Sequence, residues 1–271
     1  MISIAIPDSL FAEDDSLRGK TEKVGQIARA VAIFGVDRIY IYRDLSKNFE
    51  SDYEVAKLIF EYAETPQYLR RKLISRKKEL EFVGILPPLR IPSHQRDVNV
   101  SQGEIREAVV LMQNGELMAD MGARELAKVE GRVHEGQRVT VKVKETRPLI
   151  VETAERPKGE YWGYEVRRAP SLTRFLKSAN FDVTILTSRL GTQIQQVWNE
   201  FCSRISTAEK ILICFGSPEA GVDKMLSQDR GKIGDFDSLY LNIFPFQNTE
   251  TVRLEEAIIG TLSILNIARR L

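Results

Sequence analysis

Histidine and cysteine are nearly missing, with two of each in 271 residues. Metal centres draw heavily on those side chains, so His94 and His134 predict no histidine-based metal site. Cys202 and Cys214 form no C-x-x-C pair and no disulfide framework, which predicts a reduced, cytoplasmic setting. An excess of either charge is absent too: 39 basic against 38 acidic residues leave a net charge of +1. A partner recognised through charge must therefore meet a local patch. No apolar run approaches the roughly 20 residues that span a bilayer, which predicts a soluble chain with no membrane partner. The start "MISIAIPDSL" lacks the basic opening and long apolar core of a signal peptide. What the chain has is 43% hydrophobic and 28% charged residues. That suits a packed core, and the length suits two domains or one domain carrying an insertion.

The pattern alternates, stops, and alternates again. Isoleucines at 2, 4 and 6 mark a strand. Val24, Ile27, Ala28 and Val31 then fall at the i, i+3, i+4, i+7 spacing of an amphipathic helix. "RIYIYR" (38–43) predicts a second strand, and Val55, Leu58, Ile59 and Tyr62 a second helix. Thr65 and Pro66 read as the cap and first residue of a third. The prolines of "GILPPLRIPSH" stop that rhythm. Five short strands follow: "REAVVLMQ", "ELMADMG" after an Asn114-Gly115 turn, "RVTVKV", "LIVETA" and "YWGYEVRRA". They predict a small barrel of the OB or SH3 sort. From "SLTRFL" onward, strands "DVTILTS", "KILICF" and "SLYLNIF" return. Between them a helix carries Ile194, Val197, Trp198, Phe201 and Ile205 on one face. The last helix, "LEEAIIGTLSILNIARR", is apolar around most of its girth, which predicts burial on more than one side. The expected fold is α/β: one parallel-sheet domain built from residues 1–90 and 166–271, interrupted by an all-β barrel at 91–165.

One turn invites a ligand. "KILICFGSPEAGVDKML" (210–226) runs from a strand through Gly216 and Gly221 into a helix. Either the backbone there approaches a bound molecule, or Gly216 ends a strand and Gly221 packs closely. Val222-Asp223 after the second glycine excludes a phosphate-binding P-loop, and no G-x-G-x-x-G marks a dinucleotide site.

Three stretches in order resemble the motifs of the SPOUT superfamily, the trefoil-knotted RNA methyltransferases. The first is "KVGQIARAVAIFGVDRIYIY", with Lys23, Gly25, Arg29 and Phe34-Gly35-Val36. The second is Gly216, Ser217, Gly221 and Val222, and the third is residues 243–246 followed by 249–254. The barrel between the halves is similar to one subgroup's insertion. Pro218 stands where many relatives carry glutamate, the acid here being Glu219, and Thr251-Val252-Arg253 stands where many carry Ser-Leu-Asn. The resemblance implies a C-terminal trefoil knot and the cofactor S-adenosylmethionine. The cofactor would be held by Phe215, Gly216, Ser217, Gly221, Asn242, Ile243 and Phe244, and enclosed by Thr249, Thr251 and Val252. It implies Arg29 as the catalytic residue, steadying negative charge on an acceptor that loses its proton. Read alone, Arg29 is an ion-paired arginine on a helix surface. No general base declares itself; Glu219, Asp235 and Asp237 are the candidates. The resemblance further implies a homodimer through the first and last helices. It implies ribosomal RNA ahead of transfer RNA as substrate, and uridine N3 ahead of a ribose 2′-hydroxyl as acceptor.

An RNA needs positive surface. Arg18 and Lys20 precede the first helix, and Arg167 and Arg168 stand at the second domain junction. "YLRRKLISRKK" places Arg70, Arg71, Lys72, Arg76, Lys77 and Lys78 on one predicted helix. Tyr161, Trp162 and Tyr164 are stacking candidates or core residues, and His134 reads as a turn residue. Two rival functions stand beside the enzyme: a non-catalytic RNA-binding or ribosome-assembly factor, and a nucleotide-dependent oxidoreductase, which the absent glycine fingerprint disfavours.

Overall fold

The computed structural model describes residues 1–14 and 16–269. In chain order the elements are β1 (Ile2–Pro7), α1 (Leu17–Ile33), β2 (Arg38–Arg43), α2 (Glu50–Glu64), α3 (Gln67–Leu73) and β3 (Ile105–Gln113). Next come β4 (Glu116–Asp120), β5 (Ala127–Glu130), β6 (Arg138–Thr146), β7 (Leu149–Thr153), β8 (Glu165–Ser171) and α4 (Leu172–Ser178). The chain finishes with β9 (Val183–Gln193), α5 (Trp198–Thr207), β10 (Ile211–Cys214), α6 (Val222–Ser227), β11 (Leu239–Asn242) and α7 (Leu254–Ala268). They form two compact units, Met1–Glu61 with Phe82–Pro87 and Tyr164–Leu271, and Tyr62–Glu81 with Pro88–Gly163.

The first unit holds a six-stranded parallel sheet in the order β11-β9-β10-β1-β2-β8. Strands from both halves of the chain thus share one sheet. β1 and β10 are buried along their whole length, as strands covered on both faces are. α1 is capped by Ser16, whose Oγ accepts from Gly19 N at 3.0 Å. It buries Val24, Ile27, Ala28 and Val31, the residues its spacing marked. Gly35 ends the turn after it at φ +65°. α7 buries Leu254, Ile258, Leu262 and Leu265, but Ile259 and Ile267 are 45% and 55% exposed. Within this chain α7 packs against α1 and α5, with Phe244 against Gly260 on another side. Among the described residues no helix is long and apolar enough to cross a membrane.

The second unit is a closed barrel, β3-β4-β5-β7-β6, around Ala108, Ala119, Met121, Ala127, Val141, Val143 and Val151. Its five strands are not the five expected. "YWGYEVRRA" does not close it: residues 154–164 belong to no strand, and β8 pairs with β2 in the parallel sheet. Gly163 at φ +124° breaks the run. The missing member is β5, four residues long. Trp162 and Tyr164 are buried, as core residues are. α3 also differs from expectation. Pro66 caps it and Gln67 begins it, and it stops at Leu73 with Ile74 extended. The Ile74 N–H still closes the last turn onto the Arg70 carbonyl, and the chain leaves the helix there. Arg76, Lys77 and Lys78 lie beyond the end of α3. His134 occupies a turn before β6, as expected.

A charged network ties this unit together. The Arg138 guanidinium makes a two-pronged contact with Glu64 (2.7 and 3.0 Å) and donates through Nε to Glu107 at 2.6 Å. Thr140 Oγ1 and Trp162 Nε1 donate to the other oxygen of Glu107 at 2.7 and 2.6 Å. His94 Nε2 donates to the Glu64 carbonyl at 2.7 Å. Burial, helped by the nearby Arg70 and Arg138 charges, pushes the His94 imidazole down to about 4, although the Glu64 bond opposes this. The unfolded chain takes up that proton near pH 6.5 and the folded chain only near 4. Stability from the neutral imidazole is thus complete above about pH 6.5 and lost as pH falls toward 4. The difference is about 3 kcal/mol. Denaturant melts from pH 4 to 7 should show a flatter pH dependence for His94→Gln than for the parent chain.

Candidate functional site

In a parallel sheet, loops leaving the carboxyl ends of the strands are where ligands collect. Here the second half of β9 and the segments following β10 and β11, with the start of α7, enclose a cleft of about 390 Å³. That is within the range of small-molecule sites. Among the residues expected to hold a cofactor, Phe215, Gly216, Ser217, Gly221, Asn242, Ile243, Phe244, Thr251 and Val252 line it. Thr249 does not; it is exposed, and its carbonyl accepts from Gln247 Nε2 at 3.0 Å. Residues 187–190, which the sequence did not mark, line the cleft from within β9. The available signal was their place at the end of the apolar run "DVTILTS", without a glycine pair to draw attention.

The walls are fixed from behind. Tyr42, fully buried on β2, donates its hydroxyl to the Phe215 carbonyl at 2.7 Å. Burial pushes that phenol well up, so it stays a donor. Thr187 Oγ1 donates to the Cys214 carbonyl at 2.9 Å, and burial likewise pushes the Cys214 thiol up. The turn 217–220 closes through Ser217 N to Ala220 O (2.8 Å) and Ala220 N to Ser217 Oγ (3.0 Å). A Cβ on Gly216 would lie 2.5 Å from the Ala220 carbonyl oxygen, so only glycine fits there. Across the cleft, Asn242 Nδ2 donates to Arg189 O at 3.1 Å and its Oδ1 accepts from Phe244 N at 3.0 Å. The Phe244 ring lies directly against Gly260 of α7. Thr261 Oγ1, from the same helix, is buried at the cleft wall with no hydrogen-bond partner.

Behind the sheet's carboxyl edge, Asp8 accepts from Asp44 N at 2.8 Å, and Gln228 at the end of α6 donates to Asp44 at 2.8 Å. Burial pushes the Asp8 carboxyl up to about 6. No pattern in the sequence marked these residues.

Arg29 stands elsewhere. It lines a second cavity of about 420 Å³, with α1 on one side, residues 85–87 on another, and Glu255, Glu256 and Ile259 of α7. Leu254, Ala257 and Thr261 of the same helix line the first cleft. α7 thus lies between the two, and the chain does not bring Arg29 to the cleft residues. Gly25 brings α1 close to residues 85–87: a Cβ there would meet Leu86 Cδ2, the movable end of a flexible side chain, at 2.5 Å. Lys23 is buried, 3.0 Å from Asp14 and 3.9 Å from Glu255.

Most of the cations expected to meet RNA have structural partners. Arg18 and Lys20 lie in the first turn of α1 and not before it, because Ser16 caps the helix; Arg18 pairs with Glu22 (2.9 Å), Lys20 with Asp52 (2.6 Å) and Arg167 with Glu165 (2.8 Å). Arg168 pairs with Glu50 at 2.8 Å and stacks 3.9 Å over the Tyr53 ring. In the other unit, Arg70 donates to the Thr65 and Ala63 carbonyls, and Lys72 pairs with Asp120. Arg71, Arg76, Lys77 and Lys78 are exposed. Of the candidate bases, Glu219 lines the cleft. Asp235 accepts from Lys232 N and Asp237 pairs with Arg204, both outside it.

A family model described as "Putative RNA methyltransferase" matches residues 1–265. An uncharacterized protein of Haloarcula marismortui is 30% identical over 281 residues, covering 98% of both chains. The 28S rRNA (uridine-N(3))-methyltransferase of Drosophila melanogaster is 32% identical over 304 residues, 97% of this chain and 61% of that one. The Homo sapiens protein of that name is 29% identical over 300 residues, covering 97% and 77%.

Proposed function

We propose, from the premise that this chain belongs to that RNA methyltransferase family, that it methylates ribosomal RNA at uridine N3 using S-adenosylmethionine. The observation that carries this reading is the cleft itself, which gathers nine of the ten expected cofactor residues from separate segments. Its chemistry fits a nucleoside sulfonium better than a phosphate. Glu219, Asp223 and Glu250 line it against Arg189 and Lys224, an acidic balance that favours a cation. The Thr261 hydroxyl offers an unused polar contact, and the Gly216 turn lets backbone approach closely. When bound, the cofactor supplies an electrophilic methyl carbon. The chain's own task is to position the acceptor and to take its proton, for which Glu219 is, of the expected candidate bases, the one that lines the cleft.

Arg29 enters this reading through a second copy. The α1–α7 face that carries it also exposes Ile33, Ile259 and Ile267, an apolar surface suited to a homodimer. Arg29 would then serve the partner's acceptor as an electrostatic stabiliser. The reading includes a SPOUT fold with a C-terminal trefoil knot, an OB-like barrel insertion and a cytoplasmic site of action. The exposed Arg71, Arg76, Lys77 and Lys78 are its phosphate contacts.

Calorimetric titration with S-adenosylhomocysteine, NAD and ATP tests it. Saturable binding is expected for the first alone. Arg29→Ala should keep that affinity and lower methylation of ribosomal RNA about a hundredfold. A folded sample that binds none of the three would remove the enzyme reading and leave the RNA-binding factor.

A further inference from the structure

The cleft has an unusual rim. Among the described residues, the large apolar side chains most open to solvent are Phe246, at 78%, and Leu190, at 72%. Both belong to segments that line the same cleft, Leu190 directly and Phe246 between the lining residues Phe244 and Gln247. A solitary exposed apolar residue needs no explanation. Two at the mouth of one cleft do.

Neither is exposed because its segment is slack. Pro245 fixes the backbone ahead of Phe246. Gln247 N donates to Phe244 O at 3.2 Å, and Gln247 Nε2 reaches the Thr249 and Glu250 carbonyls at 3.0 and 3.3 Å. Leu190 N donates to Ser188 Oγ at 3.1 Å. The two segments are also tied to each other, by Asn242 Nδ2 to Arg189 O and by Arg189 Nη1 to Glu250 O at 3.1 Å. The rim is a built surface that presents a phenyl face to water.

We infer that Phe246 is a stacking platform for an unpaired base of the RNA substrate, with Leu190 as the apolar wall beside it. The inference rests on the proposed function, because it takes the cleft to be the methyl-donor site. An acceptor must come to the mouth of that cleft with its base free of the helix, since base-edge atoms within a duplex are out of reach. A free base offers an apolar face that a phenyl ring covers without reading its identity. Stacking holds the nucleotide; recognition of the particular base is left to polar groups deeper in the cleft.

The test uses the full chain and a fluorescein-labelled dodecauridylate, followed by anisotropy with S-adenosylhomocysteine at saturation. Phe246→Ala should weaken binding about tenfold, with no change in melting temperature or in affinity for S-adenosylhomocysteine. Phe246→Leu, which keeps apolar bulk but has no π face, should stay weak. Phe246→Trp should restore binding and show indole fluorescence quenched by the oligonucleotide. Unchanged RNA affinity in Phe246→Ala, full rescue by leucine, or no binding by the parent chain would each overturn the inference. So would a Phe246→Ala protein that becomes monomeric in sedimentation, which would make the rim a contact between copies. If the parent chain binds the oligonucleotide through Phe246 but does not bind S-adenosylhomocysteine, the platform stands and the cofactor reading falls.

Discussion

Arg138→Met should destabilise the barrel unit by about 3–5 kcal/mol at neutral pH, the cost of leaving buried charge without its partner. Arg138 is the one cation that contacts both Glu64 and Glu107 in this network, and those carboxylates are 7% and 2% exposed. Burial presses both carboxyls upward. In the intact network Arg138, Thr140 and Trp162 nevertheless hold Glu107 below its usual range, while Glu64 stays above it. Without the guanidinium both groups rise, so the folded variant binds protons that its unfolded chain releases. Its deficit should therefore be largest above the raised folded values and shrink as pH falls toward the ordinary carboxylate range. Arg138→Lys restores one charge but not the planar fork, and should recover only part of the loss. Trp162 donates to Glu107 and makes intrinsic fluorescence a local probe for urea melts between pH 5 and 8. A loss below about 1 kcal/mol, independent of pH, would match a surface pair and show that the network is dispensable.

That network was invisible in the sequence, and the reason is general to this chain. Periodicity reports on faces: it found α1 through Val24, Ile27, Ala28 and Val31, and it found β1 through its isoleucines. It could also join the two halves, because each alone offered too few strands for a covered sheet. It does not report on partners. β5 reads "AKVE", a composition with little preference for strand, and exists because β4 and β7 flank it. β8 was legible as a strand but not as a neighbour of β2. The cleft shows the same division. Glycine spacing pointed to 215–221, where close backbone contact demands it, whereas residues 187–190 contribute ordinary side chains and carry no such mark. The placement of Arg29 beyond α7 depends on how two helices pack, which no local pattern encodes.

Gly216→Ala carries the largest effect expected at the cleft. The added methyl would lie 2.5 Å from Ala220 O and within 3.0 Å of the Gly221 backbone. Those are main-chain atoms, so no side chain can swing aside and the turn must open. Opening it breaks the Ser217 N to Ala220 O bond and moves the Phe215 carbonyl that Tyr42 holds. Strain of this kind costs about 1–3 kcal/mol, which leaves a folded protein. The geometric damage is greater than the energetic, since a displacement of about 1 Å in a site can cost a hundredfold. Affinity for S-adenosylhomocysteine should fall by about that factor. Gly234→Ala supplies the control, because a Cβ there meets nothing within 4 Å and the residue lies outside the cleft. Ser217→Ala removes only the Ala220 N to Ser217 Oγ contact and should fall between the two. Were Gly216→Ala to bind as tightly as the parent chain while melting earlier, the glycine would be serving strand-to-helix packing alone. The wall of the cofactor site would then have to be sought in the second half of β9 and the loop after β11.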